Sequence, residues 1–254
     1  MLSNNYLQER LHNLWTTMEE KENKKINLSD KNREKLILLK NKHKGERCFI
    51  IGSSPSLKQL DLSLLNNEIT FTVNRGYKLS ENGFYNFNYH VLQDTDLYNQ
   101  ERIKEEIPYN KYENIFLYAG IKPPIEYNNI IFFEYMKMIN YKNITFQDDL
   151  TQILPEGYTV IFTALEFAYW LGFNEIYIIG VDLDYINTKG YIYAETPQEL
   201  LRQKNSIMNA KRMINSIAVA AKFLNKSDIS VYNASPCGCL DCIPRVNFED
   251  IFNA

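Results

Sequence analysis

From residue 46 onward the chain alternates short apolar runs with helix-length segments. RCFIIG, ITFTVN, NYHVLQD, NIFLYA, NIIFFEY, NEIYIIGVDLDY and DISVYNAS follow one another in that order. Runs this short and this apolar read as strands buried on both faces, the pattern of a parallel sheet with helices above and below it. Between them, TVIFTALEFAYWLGF (Thr159–Phe173) predicts a largely buried helix that stops at Gly172. A long helix is predicted from Pro197 to about Asn225, with a cap near Thr196, and a helix through Leu97 to Ile107. The alternation predicts an α/β fold with a mostly parallel sheet flanked by helices. In such sheets ligands bind outside the carboxyl ends of the strands. That rule selects Gly52–Ser56, Asn74–Tyr77, Asp94–Asp96, Gly180–Asp184 and Asn233–Pro236 as the places to look.

Residues 1–44 have a different texture. Leu7, Leu11, Leu14 and Trp15 recur at helical spacing, and LSDKNREKLILLKNK opens on Ser29 as a predicted N-cap. The expected organisation is a helical extension over 1–44 and a nucleotide-binding domain over 45–254. The polar, weakly patterned stretch from Met136 to Gly157 is predicted to be a mobile connection.

With 45% apolar residues the chain can build a sizeable core, and a net charge of -3 leaves no global basic field to gather nucleic acid. No apolar run reaches the length of a membrane span, and MLSNNYLQERLHNLW lacks the apolar stretch of a signal peptide. The expected location is therefore the cytoplasm, with peripheral membrane contact and pairing of copies through the N-terminal helices left open. Cys237, Cys239 and Cys242 in PCGCLDC would need a fourth ligand, from Cys48 or a histidine, to hold zinc. Reduced thiols in a cytosolic loop are the simpler expectation.

Four clusters at strand ends could do chemistry. GSSPSL puts Gly52, Ser53, Ser54 and Ser56 just before a short helix, where backbone N–H groups and hydroxyls can receive phosphate, or where a serine merely caps the helix. TVNRGY ends the second strand on Asn74 and Arg75, an amide for a base or ribose edge and a guanidinium for phosphate. QDTDLY places Asp94 and Asp96 where they could hold a metal or a ribose, or cap the helix that follows. GVDLDY carries Asp182 and Asp184 in the D-x-D spacing that can hold a divalent metal against a nucleotide diphosphate. Thr159 opens the buried helix, whose N-terminus could again face an anion.

CFIIGSSPSLKQLDLSLL, TVNRGY, the TVIFTALEFAYWLGFNEIYIIGVDLDY block and VYNASPCGCLDCIPRVNFEDIF occur in this order over roughly residues 46–252. The set resembles the bacterial superfamily that joins lipooligosaccharide sialyltransferases, flagellin motility accessory factors and hydroxymethylpterin pyrophosphokinase-like proteins. The resemblance implies a Rossmann-like fold of the GT-A-variant kind and a nucleotide ligand. In the sialyltransferase branch the donor is a cytidine monophosphate ester of a nonulosonic acid. The family's G-N-G-P-S loop matches Gly52–Ser56, with Ser53 in place of Asn, and its strand-end Asn matches Asn74. Its later polar positions fall near Asp94 and Thr159. Tyr191 and Tyr193 match tyrosines that contact the leaving phosphate.

One departure bears on mechanism. The sialyltransferases use a histidine after the GxD strand as base, and YINTKGYIYAETPQELLRQKNS holds none. Glu195, Asp182 or Asp184 would have to take its place. The resemblance thus implies a glycosyltransferase acting from a CMP-type donor on a glycan or protein acceptor. It would need no cofactor, with magnesium left open through Asp182 and Asp184. The alternatives are a magnesium-dependent pyrophosphokinase acting on a pterin-like alcohol and a non-catalytic nucleotide-binding or assembly protein.

Overall fold

The computed structural model describes residues 28–99, 103–137, 143–185, 187, 190–193 and 197–253, with side chains for all of these except 197–208. The helix expected over the first fifteen residues, Thr196 and Glu195 lie outside the described residues.

Seven strands form one parallel sheet: β1 (Arg47–Ile51), β2 (Ile69–Val73), β3 (Tyr89–Leu92), β4 (Asn114–Tyr118), β5 (Ile130–Phe133), β8 (Glu175–Ile179) and β9 (Ser230–Asn233). Their order across the sheet is β5-β4-β3-β2-β1-β8-β9, and every pairing is parallel. A short ribbon of β6 (Tyr135–Met136) and β7 (Leu154–Pro155) stands beside it. This is the α/β architecture that the alternating runs predict. The chain builds outward from β1 in one direction as far as β5. It then crosses to the other side of β1 to lay down β8 and β9. A crevice at such a reversal, outside the strands' carboxyl ends, is where ligands enter doubly wound sheets.

The apolar runs are continuous because both faces of the sheet are covered. On β1, Cys48 and Ile50 join one core and Phe49 and Ile51 the other, all without exposed surface. The first core is filled by α4 (Val160–Leu171), through Ala164, Leu165, Phe167, Ala168 and Leu171, and by Ile217, Ala220 and Leu224 of α5 (Pro197–Lys226). The second is closed by Leu57, Leu65, Leu79 and the two short helices α2 (Thr95–Asn99) and α3 (Ile103–Glu106). Each such aliphatic or aromatic side chain contributes roughly 1.5–3 kcal/mol by leaving water. Of the helix expected from Leu97 to Ile107, the described residues show α2 and α3, each presenting apolar residues to the second core.

α4 has the boundaries its sequence signals. Thr159 caps it by accepting a 3.3 Å bond from the Ile161 N–H, and Gly172 ends it in the left-handed region at φ 90°. α1 (Asp30–Leu38) starts on Ser29, whose hydroxyl accepts from the Asn32 N–H as expected. Asn32 then grips the edge strand β5 in both directions. Its Nδ2 donates to the Phe132 carbonyl at 2.6 Å, and its Oδ1 accepts from the Phe132 N–H at 2.7 Å. Trp170 of α4 donates to the Leu36 carbonyl at 2.7 Å. α1 thus satisfies backbone groups that an uncovered edge strand would leave open. No helix among the described residues is long and apolar enough to cross a membrane.

Candidate functional site

A cleft of about 460 Å³ opens at the carboxyl ends of β1, β2, β3 and β8 and the N-terminus of α4. Its floor is set by an approach of two backbones. The Gly52 N–H donates to Ile179 O at 2.8 Å, and a Cβ on Gly52 would stand 2.1 Å from Gly180 O. Only glycine lets the loop after β1 lie this close to the loop after β8. Gly180 itself sits at φ 64°, and the Ser54 N–H bonds its carbonyl at 3.0 Å.

Most of the residues singled out from the sequence meet here. Gly52, Ser53 and Ser54 line one wall, Asn74 and Asp94 the next, Thr159 the helix end, and Asp182, Asp184, Tyr191 and Tyr193 the far side. Two do not reach the cleft. Ser56 is buried, and its N–H (3.3 Å) and hydroxyl both bond the Asp182 carboxylate. Arg75 is buried as well. Its Nη2 lies 3.5 Å from Glu106 Oε2 and its guanidinium 5.6 Å from the centre of the Tyr193 ring.

The two aspartates of the D-x-D do not converge. Asp182 turns inward to Ser56, while Asp184 accepts from the N–H and Nδ2 of Asn187 at 2.9–3.1 Å. Leu183 between them is held at φ 52°. Burial pushes the Asp182 carboxyl above the ordinary carboxylate range; the Ser56 bonds pull the other way, and neighbouring Asp184 adds to the rise. Asp94 lines the cleft yet also caps α2, accepting from the Leu97 N–H at 2.8 Å. The capping reading of QDTDLY is therefore met, and Asp94 also stands where a ligand would lie.

Asn74 stands apart. It is a non-glycine residue at φ 49°, immediately after β2, and its Oδ1 is buried with no hydrogen-bond partner among the described residues. Such a backbone costs on the order of 1 kcal/mol and clusters at functional sites, and an unmade buried acceptor costs a similar amount. Across the cleft, Tyr191 and Tyr193 stack at 5.1 Å between ring centres, and the intervening Ile192 N–H bonds the Ser53 carbonyl at 2.9 Å. The tyrosine segment is thereby pinned onto the serine loop.

Sequence reasoning missed Gln93, Lys137, Glu156 and Tyr158, which also line the cleft. Gln93 accepts from the Thr163 hydroxyl at 2.6 Å and donates to Glu156 O at 3.2 Å. Its place one residue before Asp94 at a strand end was the signal that could have found it. Lys137 and Glu156 come from the stretch expected to be a mobile connection; the described part of it carries β7 and the Leu154 N–H bond to Glu134 O at 2.8 Å. Among the described residues, Lys137 is the one cationic side chain lining the cleft, against the carboxylates of Asp94, Asp96, Glu156, Asp182 and Asp184. Among the described residues no three His, Cys, Asp or Glu side chains gather as a metal-ligand set. Cys237, Cys239 and Cys242 are exposed, and Cys48 is buried inside β1.

Comparison with known proteins fits this geometry. The model of a family described as 6-hydroxymethylpterin diphosphokinase MptE-like matches residues 22–188 of the 254. No curated protein matches. Among solved structures, the MAf glycosyltransferase from Magnetospirillum magneticum AMB-1 superposes with a TM-score of 0.52 at 16% identity, over 86% of this chain and 38% of that one. This chain thus spans well under half the length of that relative. The sialyltransferase CstII from Campylobacter jejuni, solved with the substrate analogue CMP-3FNeuAc, gives a TM-score of 0.48 at 18% identity, over 79% of this chain and 85% of that one. The fold likeness rests on the first of the two.

Proposed function

The chain belongs to the 6-hydroxymethylpterin diphosphokinase MptE-like family, and from the geometry of its cleft we propose that it is a glycosyltransferase, moving a sugar from a CMP-type nucleotide donor to a hydroxyl of a glycan or protein. The observation that carries this reading is the Asn74 amide. Asn74 lines the strand-end cleft, and its buried Oδ1, without a partner among the described residues, calls for a donor, which a ribose hydroxyl or the amino group of cytosine would supply.

In this reading Gly52, Ser53 and Ser54 let the phosphate approach the backbone. The first N–H groups of α4, behind Thr159, favour its negative charge. Tyr191 and Tyr193 offer hydroxyls to the departing phosphate. The acceptor oxygen attacks the anomeric carbon, the bond from that carbon to the phosphate oxygen breaks, and the nucleoside monophosphate leaves. The acceptor's proton passes to a carboxylate. Asp182 is one candidate, since it lines the cleft and burial raises its pKa above the ordinary carboxylate range, which makes it the stronger base; Glu195 is the other.

Diphosphate transfer from ATP to a pterin-like alcohol is the second reading. It is favoured by the family's description and by the surplus of carboxylates over Lys137 in the cleft, which would attract the magnesium ion that diphosphate transfer needs. The described carboxylates do not gather as a magnesium-ligand set, so no step is assigned to the metal here.

Thermal unfolding with added nucleotide decides between the two. CMP without metal at a hundredfold excess over its Kd should raise Tm by about 5–10 °C, and Asn74→Ala should abolish the rise. A rise with ATP and magnesium alone would replace glycosyl transfer by diphosphate transfer. No rise with either would remove both.

A further inference from the structure

The cleft has two unlike ends. Asn74, Gln93 and Asp94 stand at the ends of β2 and β3 and offer it amide and carboxylate groups. On the other side of β1, Tyr185 follows β8, and Met213 stands on α5, which packs against α4 and β9. Tyr158 and Val160, on either side of the cap Thr159, line the cleft as well. The lining they make with Tyr185 and Met213 is aromatic and aliphatic.

The larger side chains of this second end are held in place. The Tyr185 hydroxyl donates to Met213 Sδ at 3.8 Å, which ties the loop after β8 to α5. The Arg212 guanidinium, also on α5, lies 5.5 Å from the centre of the Tyr158 ring. Tyr158 itself is at φ 57°, directly after Gly157 at φ 62°. A bulky residue in the left-handed region is strained, and strain of this kind gathers at ligand sites. Glycine would adopt that backbone freely. What the tyrosine adds is a ring on the cleft wall.

Aromatic faces carry negative charge density, and a thioether is soft and adaptable. Such a floor suits a ring whose C–H bonds point down from one flat side. Resting on the reading that the nucleotide's phosphate seats on Gly52–Ser54 with its nucleoside towards Asn74, we infer that Tyr158, Tyr185 and Met213 form the acceptor subsite and that the acceptor is a pyranose ring of a glycan, not a serine or threonine of a protein. The apolar face of the sugar lies on the two tyrosines and the thioether. Asp182, three residues before Tyr185, then stands beside the attacking hydroxyl. Asp184 lines the same end, so an uncharged ring is the better occupant.

The full chain, labelled with 13C at its six methionine methyl groups, tests this. The Met213 signal is identified by its loss in Met213→Leu. In the CMP-saturated chain an uncharged methyl pyranoside should move that signal saturably, while sorbitol, an open-chain polyol, should not. Tyr158→Ala should raise the half-saturating concentration about tenfold. Tyr158→Phe keeps the ring and should stay within about twofold, which separates stacking from loss of the hydroxyl. A CMP-induced rise in Tm in each variant shows that its cleft is folded. No movement with the pyranoside in a chain whose Tm rises with CMP, or an unchanged half-saturation in Tyr158→Ala, overturns the inference alone. Movement with 6-hydroxymethylpterin and not with the pyranoside overturns the sugar and gives the subsite to diphosphate transfer. A wild-type chain whose Tm does not rise with CMP overturns the glycosyl-transfer reading and this inference with it.

Discussion

Ser56 and Asp182, separated by 126 residues, form a buried pair in which the serine offers both its N–H and its hydroxyl to the aspartate's carboxylate. The pair ties the loop after β1 to the loop after β8. It also explains why a serine picked out as a phosphate ligand lies behind the cleft wall and not in it. The pair has measurable consequences. Ser56→Ala leaves a buried carboxylate short of a donor, at a cost of about 1–3 kcal/mol. It also removes a bond that lowers the Asp182 pKa, so the carboxyl moves further up. An acid whose folded pKa is raised withholds stability above that pKa and restores it on protonation. The variant's deficit in Tm should therefore be larger at pH 8 than at pH 4. An equal deficit at both would show that the Asp182 charge is not what Ser56 supports.

Gly52→Ala should be among the most damaging single changes. Its Cβ would fall 2.1 Å from Gly180 O and 2.7 Å from the Val181 side chain. Backbone cannot rotate away as a side-chain tip can, so the two loops must separate. The expected cost is about 3 kcal/mol, or roughly 6–12 °C in Tm for a chain of this size, with nucleotide binding lost as well. A folded variant with unchanged Tm would mean that the strand ends do not approach this closely in solution.

Glu166 is the one acidic side chain in the apolar helix α4, and it has no exposed surface. Its Oε1 accepts from the Gln147 N–H at 3.0 Å and its Oε2 has no partner among the described residues. Burial pushes its pKa well above the usual carboxylate range. Ionised Glu166 therefore costs stability as pH rises through its folded pKa, and none below its unfolded value of about 4.5. Glu166→Gln keeps an acceptor for Gln147 and removes the charge. It should raise Tm at pH 8, with the gain vanishing near pH 4. A variant less stable than wild type at pH 8 would show the charge to be satisfied by a group outside the described residues.

The strands and the walls of the cleft were legible because they are local facts. RCFIIG, ITFTVN and NYHVLQD each announce a buried strand and its polar end, and those ends are where Gly52, Asn74 and Asp94 stand. Thr159 and Gly172 bracket α4 through cap chemistry that needs no tertiary context. What escaped is set by strand order. Ser56 faces Asp182 because β8 lies against β1 and not at the far edge of the sheet. No local spacing carries that information. The same holds for Gln93, whose bonds run to Thr163 on α4 and to Glu156 beyond β7. The D-x-D spacing suggested two carboxylates acting together, but the backbone at Leu183 turns them to different partners.

The cysteine loop supports the site through its backbone, and its thiols should be dispensable. Gly238 is at φ 103°, and a Cβ there would meet Asp182 Cα at 2.5 Å. The Cys239 N–H donates to Asp182 O at 2.7 Å. Arg245 fixes the loop from outside by donating to Ser235 O, Cys237 O, Gly238 O and Asp241 Oδ1 at 2.7–3.1 Å. All of these contacts survive when the exposed Cys239 thiol becomes a hydroxyl. Cys239→Ser should hold stability to within about 0.5 kcal/mol and leave the nucleotide-induced rise in Tm intact. Gly238→Ala should cost about 2–3 kcal/mol and disturb Asp182, because the glycine has both a left-handed φ and backbone at its door. EDTA should leave the wild-type Tm unchanged. Stoichiometric zinc in the purified chain, lost together with the fold in Cys239→Ser, would instead make PCGCLDC a structural metal site.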